Sequence, residues 1–400
     1  MDDKLLKDRV VVRKNSDAYR CTLEVLEALR LTGLEDKKIL IKPNLGRLFE
    51  SGTGIVTNIE VITAIIDHFR SNQFNDISIG ESPIIGLKME DIYRKTGVAG
   101  LAEEKNVKLL DFDKEKPAIV KVPGGRIIEQ LRVYNKIEEY NYLVSVPVMK
   151  THMHTVVTLS LKNMKGFLWR HEKVRLHQLK FDDGCEYTDY KELDVAIADL
   201  SMSLKPDLAI IDGTIGLEGL GPSGGEKKKT DTVVGSRNFL YADLVAARLM
   251  GLEKDDVPHL KLAMEFNKDR IKTDNIDVDP VDYVKFTDKY ELAPKEINIK
   301  FPGVEVNDYQ SCSACLSTLL VFLKEYASHI RYSNLPGEKL RIRIGKGGEE
   351  YDAEDILLGN CTYKHKDKGG IYIKGCPPVS STFFRILKEN DLMEGEFENY

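Results

Sequence analysis

The sequence predicts an α/β fold: mainly parallel sheets with flanking helices in two lobes, plus a C-terminal α+β region whose cysteines hold a metal cluster. Three observations lead there. Short apolar runs alternate with amphipathic stretches at intervals of about thirty residues, the rhythm of βαβ units. Several of these runs break into polar loops, as strands do where their carboxyl ends line a ligand crevice. Four of the six cysteines fall in the last quarter of the chain, beside small or turn-forming residues.

Composition sets the bounds. With 400 residues, 42% hydrophobic and 30% charged, the chain has enough apolar content for a full core and more than one domain. The expected boundaries are residues 1–252 for an α/β body with a central pocket, 253–300 for a charged connector, and 301–400 for the cysteine-rich region. A net charge of −6 argues against a nucleic-acid partner, although residues 150–180 are locally basic and suit an anionic ligand. The opening residues, Met-Asp-Asp-Lys-Leu-Leu-Lys, lack an apolar signal core, and no apolar run reaches about eighteen residues. A cytoplasmic protein with no membrane partner is the expectation.

Taken in order, residues 8–13 form a first strand, followed by a helix over Asp17–Leu31. Lys38–Lys42 is a buried strand that breaks at Pro43-Asn44. Thr57-Asn58 caps a helix to Arg70, with Val61, Ile62, Ile65, Ile66 and Phe69 at helical spacing. The strand Asp76–Gly80 ends in Glu81-Ser82. A helix near Met89–Gly97 and strands at Val107–Phe112 and Tyr142–Val148 follow, the last running into Lys150-Thr151-His152. A helix over Lys191–Leu204, a strand Asp207–Asp212, a glycine-rich loop over Gly213–Gly225 and a helix over Tyr241–Leu252 complete the body. The tail holds a helix near Ala314–Ala327 and strands at Leu340–Ile344 and Gly370–Lys374.

The cysteines read as Cys312-x2-Cys315, then Gly359-Asn-Cys361, then Gly375-Cys376-Pro-Pro. A C-x2-C pair lets two thiolates converge on one centre, and two further loops complete a four-sulfur cage. Glycine beside Cys376 and near Cys361 allows close backbone approach, and the prolines stiffen the last loop. A 4Fe–4S cluster on Cys312, Cys315, Cys361 and Cys376 is the expectation, with structural zinc as the alternative. Cys21 and Cys185 read as ordinary residues.

Residues 150–177 are the densest in chemistry. An extended 151–159 segment would turn His152 and His154 to one face, since side chains alternate along a strand. Lys150, Thr151, Lys162, Asn163, Lys165 and His177 add cationic, polar and proton-transferring groups, so a carboxylate or phosphate can be held while a histidine moves a proton. His152, His177 and Lys162 are the catalytic candidates. Lys42, Asn44, Glu81, Ser82, Lys150, Thr151, His154, Asn163 and Lys165 are the substrate-binding ones. The glycine loop after Asp212 matches no nucleotide-binding motif. It reads as an amide-lined anion site, as a hard-cation site on Asp212 and Glu218, or as a surface loop.

Lys-Pro-Asn at 42–44, Gly-Glu-Ser at 80–82, Pro-Val-Met-Lys-Thr-His at 147–152, Leu-Lys-Asn-Met-Lys-Gly at 161–166, His177 and Asp-Gly…Glu-Gly-Leu-Gly-Pro at 212–222 together resemble the domain-of-unknown-function 362 family. The likeness spans about residues 38–252. It implies an iron–sulfur protein, although the ferredoxin-like module common in that family is absent and the cysteine loops would replace it. The family is more remotely similar to nickel-pincer lactate racemases, which implies a pocket near His152, Lys162 and His177. The expected function is an iron–sulfur protein that transfers electrons to a redox partner or acts as an oxidoreductase on a small anionic molecule. The alternative is a non-redox isomerase or lyase of a small carboxylate, with a structural metal centre.

Overall fold

A computed structural model describes residues 8–84, 86–268, 276–293, 301–309, 311, 313–347, 352–368 and 370–397. The chain divides into two compact units, residues 1–293 and 294–400.

The first unit is built on a ten-stranded sheet. Its strands and helices run β1 (Val10–Lys14), α1 (Ala18–Leu29), β2 (Ile39–Pro43), α2 (Ile59–Ser71), β3 (Ile77–Glu81), α3 (Met89–Lys95), α4 (Val98–Glu104) and β4 (Lys108–Asp111). A separate ladder of β5 (Ala118–Lys121) and β6 (Gln130–Val133) follows, then β7 (Tyr142–Val146), β8 (Val148–His152), β9 (Val156–Thr158) and the single helical turn α5 (Ser160–Asn163). The unit continues through α6 (Glu192–Leu200), β10 (Leu208–Glu218), β11 (Glu226–Ser236), α7 (Phe239–Leu249), α8 (Pro258–Phe266) and β12 (Val278–Asp279).

Across the sheet the order is β12-β1-β11-β10-β7-β2-β3-β4, with β8 and β9 branching from β10. Every step from β10 to β4 along this order is parallel, while both pairings of β11 and the branch pairing of β8 with β9 are antiparallel. Such a sheet must be covered on both faces, and the alternation of side chains supplies two cores. Ile39 and Ile41 enter one with Val25, Leu26, Ile62 and Phe69, while Leu40 enters the other with Ile197, Ile211 and Leu244. Helix starts follow the sequence signals: Asp17 accepts from the Arg20 amide at 2.9 Å, and Asn58 from the Glu60 amide at 3.1 Å.

The position of β2 matters most for function. From β2 the chain builds outward to β3 and β4 on one side, and the later β7 and β10 occupy the other. By the rule for open α/β sheets, such a reversal marks the ligand crevice, at the carboxyl ends of β2 and β7.

Three expectations change. The segment Gly213–Glu218 is not a loop; it continues β10, which forms a long hairpin with β11. Glycine there serves close packing: a Cβ on Gly216 would lie 2.2 Å from the Tyr290 hydroxyl and 2.5 Å from the Met149 carbonyl. Second, residues 253–268 and 276–293 belong to the first unit, because α8 packs on α6 and α7 and β12 pairs with β1. Third, residues 151–159 are not one extended strand. They turn at 153–155 between β8 and β9, so His152 ends a strand and His154 sits in the turn.

The second unit is a four-stranded parallel sheet, β13 (Val304–Tyr309), β14 (Leu340–Gly345), β15 (Ile356–Leu358) and β16 (Ile371–Ile373), in that order. Helices α9 (Ser313–Tyr326) and α10 (Ser380–Glu389) pack on each other, with the Phe322 and Phe383 rings 4.1 Å apart between centroids.

Candidate functional site

Strand ends deliver the polar residues of the crevice. Lys42, at the end of β2, is 1% exposed, and its Nζ donates to Glu81 Oε2 at 2.6 Å, Asn163 Oδ1 at 3.1 Å and the Pro43 carbonyl at 3.0 Å. All three N–H groups of the ammonium therefore have acceptors. Burial lowers the Lys42 pKa and the Glu81 carboxylate opposes that shift. Glu81 also accepts from the Leu45 and Ser82 amides. Asn163 completes the network through its Nδ2, which donates to the Lys42 carbonyl and to Ser145 Oγ, both at 3.0 Å. Gly166 lies against the pair: a Cβ there would meet Glu81 Oε1 at 2.2 Å and Lys42 Nζ at 2.5 Å. Ser82 Oγ donates to the Gly166 carbonyl at 2.5 Å.

Lys150, on β8, is held differently. Its Nζ donates to Asn44 Oδ1 at 2.8 Å and to the Ile55 carbonyl at 2.6 Å, two neutral oxygens. Burial, then the Arg47 guanidinium, brings its pKa down to about 7. Thr151 donates to the Leu217 and Gly219 carbonyls on β10 and just after it, so its hydroxyl fastens β8 to that strand.

Lys162 is carried by α5. Its Nζ has one protein acceptor among the described residues, Thr158 Oγ1 at 3.2 Å. Desolvation, then the charges of Lys165, Lys150 and Arg47, pushes its pKa well below the usual lysine value, with Asp194 acting the other way. The start of α5 is fixed by Asp243 of α7, whose carboxylate accepts from the Ser160 and Leu161 amides at 2.7 and 2.8 Å. Burial raises the Asp243 pKa to about 7 and those two amides oppose the shift.

The histidines complete the cluster. His152 is buried, and its pKa is driven well below the usual value by desolvation and then by Lys162, His154, Lys165 and His177. Its Nδ1 accepts from the His154 amide at 3.2 Å. His154 is pushed down to about 4, first by burial and then by Lys191. Lys165 Nζ and His177 Nε2 lie 2.5 Å apart. The structure thus brings together Lys42, Asn44, Glu81, Lys150, His152, His154, Lys162, Asn163, Lys165 and His177. It turns the Ser82 and Thr151 hydroxyls to backbone carbonyls.

Residues that sequence reasoning missed are Asp243, Arg47, Thr158 and Asp194. Asp243 lies inside a helix, distant in sequence from the amides it caps, and only the fold joins them. Asp212 and Glu218, weighed as cation ligands, are committed to protein donors. Asp212 accepts from the Asn58 and Thr214 amides at 2.8 and 3.0 Å, and Glu218 pairs with Lys228 at 3.1 Å.

In the second unit the cysteines follow strand ends: Cys361 comes after β15, Cys376 after β16, and Cys315 lies in the first turn of α9. Cys312 lies outside the described residues. The Asn360 amide donates to the Gly375 carbonyl at 2.8 Å and the Gly375 amide to Asn360 Oδ1 at 3.0 Å, which locks the two cysteine loops together. A Cβ on Gly359 would stand 3.2 Å from Cys315 Sγ. Among the described residues, no group of three or more His, Cys, Asp or Glu side chains is placed to hold a metal ion. Each of the three described cysteines comes after a strand of one parallel sheet, and a four-sulfur set needs Cys312.

An α/β protein with a cationic crevice at a topological switch point is the class that this fold and site define. The chain belongs to the family described as Domain of unknown function (DUF362), whose model matches residues 39–248. A curated relative, the thylakoid-associated protein sll1697 of Synechocystis sp., is 22% identical over 227 residues, which are 55% of this chain and 65% of that protein. The chain thus matches less than two thirds of that relative's length. Among solved structures, the lactate racemase apoprotein of Thermoanaerobacterium thermosaccharolyticum is similar at 11% identity and a TM-score of 0.38, over 60% of this chain and 57% of that one. A likeness that weak transfers no chemistry. Among the described residues no helix is long and apolar enough to cross a membrane.

Proposed function

We propose that the crevice binds a small carboxylate or phosphate and that the protein is an enzyme acting on it. The observation that carries this reading is the charge balance around Lys162. Lys165, Lys150 and Arg47 all raise the local positive potential there, and among the described residues acting on Lys162 it is the Asp194 carboxylate that opposes them. Glu81, the nearest carboxylate to Lys42, is bonded to Lys42. An anionic ligand relieves such a field, and a desolvated site strengthens each contact it makes. The Lys165–His177 pair is within reach to exchange a proton.

The cysteine loops belong to the same proposal as the holders of a 4Fe–4S cluster, with Cys312, Cys315, Cys361 and Cys376 as ligands. The loop-to-loop hydrogen bonds at Asn360 and Gly375 support it, because they hold Cys361 and Cys376 at neighbouring strand ends. When bound, such a cluster supplies one-electron transfer, which makes an oxidoreductase or a redox partner's acceptor the fuller reading. Zinc at the same cysteines, with proton chemistry alone in the crevice, is the alternative.

Calorimetric titration with phosphate, propionate and a neutral amide of similar size tests the anion reading. Binding of either anion and not of the amide is expected, with loss of affinity in Lys150→Met; equal binding of the amide would contradict it. Anaerobically purified protein is expected to be brown, with about four irons per chain, as four thiolates on a 4Fe–4S cluster require. A colourless protein with one zinc would replace the cluster by the alternative.

A further inference from the structure

The lysines of the crevice are not equivalent, and their hydrogen bonds separate them. Lys42 has three acceptors, one of them a carboxylate, and is a fully satisfied ammonium. Lys150 has two neutral acceptors and is 3% exposed. Lys165 is engaged with His177. Lys162 is partly exposed, and among the described residues its single protein acceptor is the Thr158 hydroxyl. An ammonium with one neutral acceptor, in the positive field of Lys165, Lys150 and Arg47, is disfavoured there. A neutral amine is not: it donates to Thr158 and keeps its lone pair for a ligand. Desolvation and neighbouring cations are the two means by which proteins turn lysine into a nucleophile at neutral pH.

We propose that Lys162 is an imine-forming nucleophile and that its substrate is a small 2-oxo carboxylate. This rests on the anion reading above and sharpens it, since it gives Lys162 a covalent role beside the groups that hold the anion. The substrate carboxylate lies among Lys150, Lys165 and Arg47, the cations that act on Lys162, and its carbonyl carbon faces the Lys162 amine. The Lys162 nitrogen forms a bond to that carbon, and a proton passes from nitrogen to the former carbonyl oxygen to give a carbinolamine. The carbon–oxygen bond then breaks, and the oxygen leaves as water with a proton from the Lys165–His177 pair. The product is a protonated imine, and the pair regains its proton from solvent. No oxidant or reductant is consumed. The iminium acts as an electron sink for bonds at the carbon on its far side from the substrate carboxylate, a role that suits proton exchange, aldol cleavage or loss of a second carboxylate at that position.

The test is reductive trapping on the full chain. Protein is mixed with pyruvate and sodium borohydride, which delivers hydride to an iminium carbon, and is then read by intact mass and peptide mapping. The expected result is the mass of one reduced pyruvate adduct on Lys162, lost in Lys162→Arg. Propionate, which the anion reading expects to bind and which has no keto group, is expected to suppress the adduct. An adduct mapped only to other lysines overturns the proposal. So does the absence of any adduct when calorimetry shows that pyruvate binds. In that second case propionate binding still stands, and the anion reading survives without the imine. If neither propionate nor pyruvate binds, both fail together. Mapping on the wild-type chain decides the point by itself if Lys162→Arg does not fold.

Discussion

The Lys42 ammonium and the Glu81 carboxylate meet at 2.6 Å with side chains only 1% and 3% exposed. They come from the ends of neighbouring parallel strands, β2 and β3. Two charges so deeply buried must satisfy each other, and Asn163, Leu45 and Ser82 saturate what remains. Lys42 therefore fixes the floor of the crevice and is not available to a ligand. Removing one partner strands a buried charge, at a cost of roughly 3–5 kcal/mol. Lys42→Met and Glu81→Gln are each expected to destabilise the fold by about that much in urea unfolding. Lys42→Met combined with Glu81→Gln is expected to cost clearly less than the sum of the two. Simple additivity would mean that the two residues do not form a unit.

Gly166 gives a second test of the same floor. A methyl group there collides with both members of the pair, and overpacking of this kind costs about 1–3 kcal/mol. Gly100 is the matched control, since it lies in α4 with a Cβ in open space. Gly166→Ala is expected to lower the unfolding midpoint. Gly100→Ala is expected to raise stability by roughly 0.5–1 kcal/mol through helix propensity.

Much of this floor was legible in the sequence. Lys-Pro-Asn at 42–44 and Gly-Glu-Ser at 80–82 each end an apolar run, and strand ends of a parallel sheet converge. The sequence could not show that Ser82 and Thr151 turn to backbone carbonyls, because hydroxyl orientation depends on neighbouring strands. Gly213 and Gly216 read as loop residues since glycine usually breaks strands, yet here they admit Met149 and Tyr290 beside β10. The β11 strand was missed for a related reason: Lys227, Lys228 and Lys229 hid its register behind solvated charge. Asp243 gave no local signal, because its partners are amides of another helix. Residues 253–293 looked like a connector because their charges masked the buried face of α8, where His259, Leu260, Leu262 and Ala263 pack.

Asp243 makes stability depend on pH in a defined direction. Its carboxyl is raised from 3.8 to about 7 in the folded chain, chiefly by burial. Between those values the folded state holds a proton that the unfolded state has released, so stability falls as pH rises through that window and is flat above it. The slope approaches about 1.4 kcal/mol per pH unit for one proton. Asp243→Asn is expected to flatten the dependence of urea unfolding between about pH 4 and 7. An unchanged slope would place the proton elsewhere.

Lys150 sets a second pH dependence, in binding. With its pKa near 7, its charge is lost as pH rises through neutrality. Affinity for propionate or phosphate is expected to weaken over that range in the wild type. In Lys150→Arg the loss from this position is expected to disappear, since a guanidinium keeps its proton. Parallel profiles for the two proteins would remove Lys150 from the anion site.

The most direct measurement is where an anion binds. A crystal soaked with 3-bromopropionate and measured at the bromine absorption edge locates the ligand by its anomalous signal. The expected result is a bromine peak in the crevice at the carboxyl ends of β2 and β7, with the carboxylate within hydrogen-bond distance of Lys150 or Lys165. Anomalous peaks confined to the surface, with the crevice unchanged, would contradict an anion-binding site there.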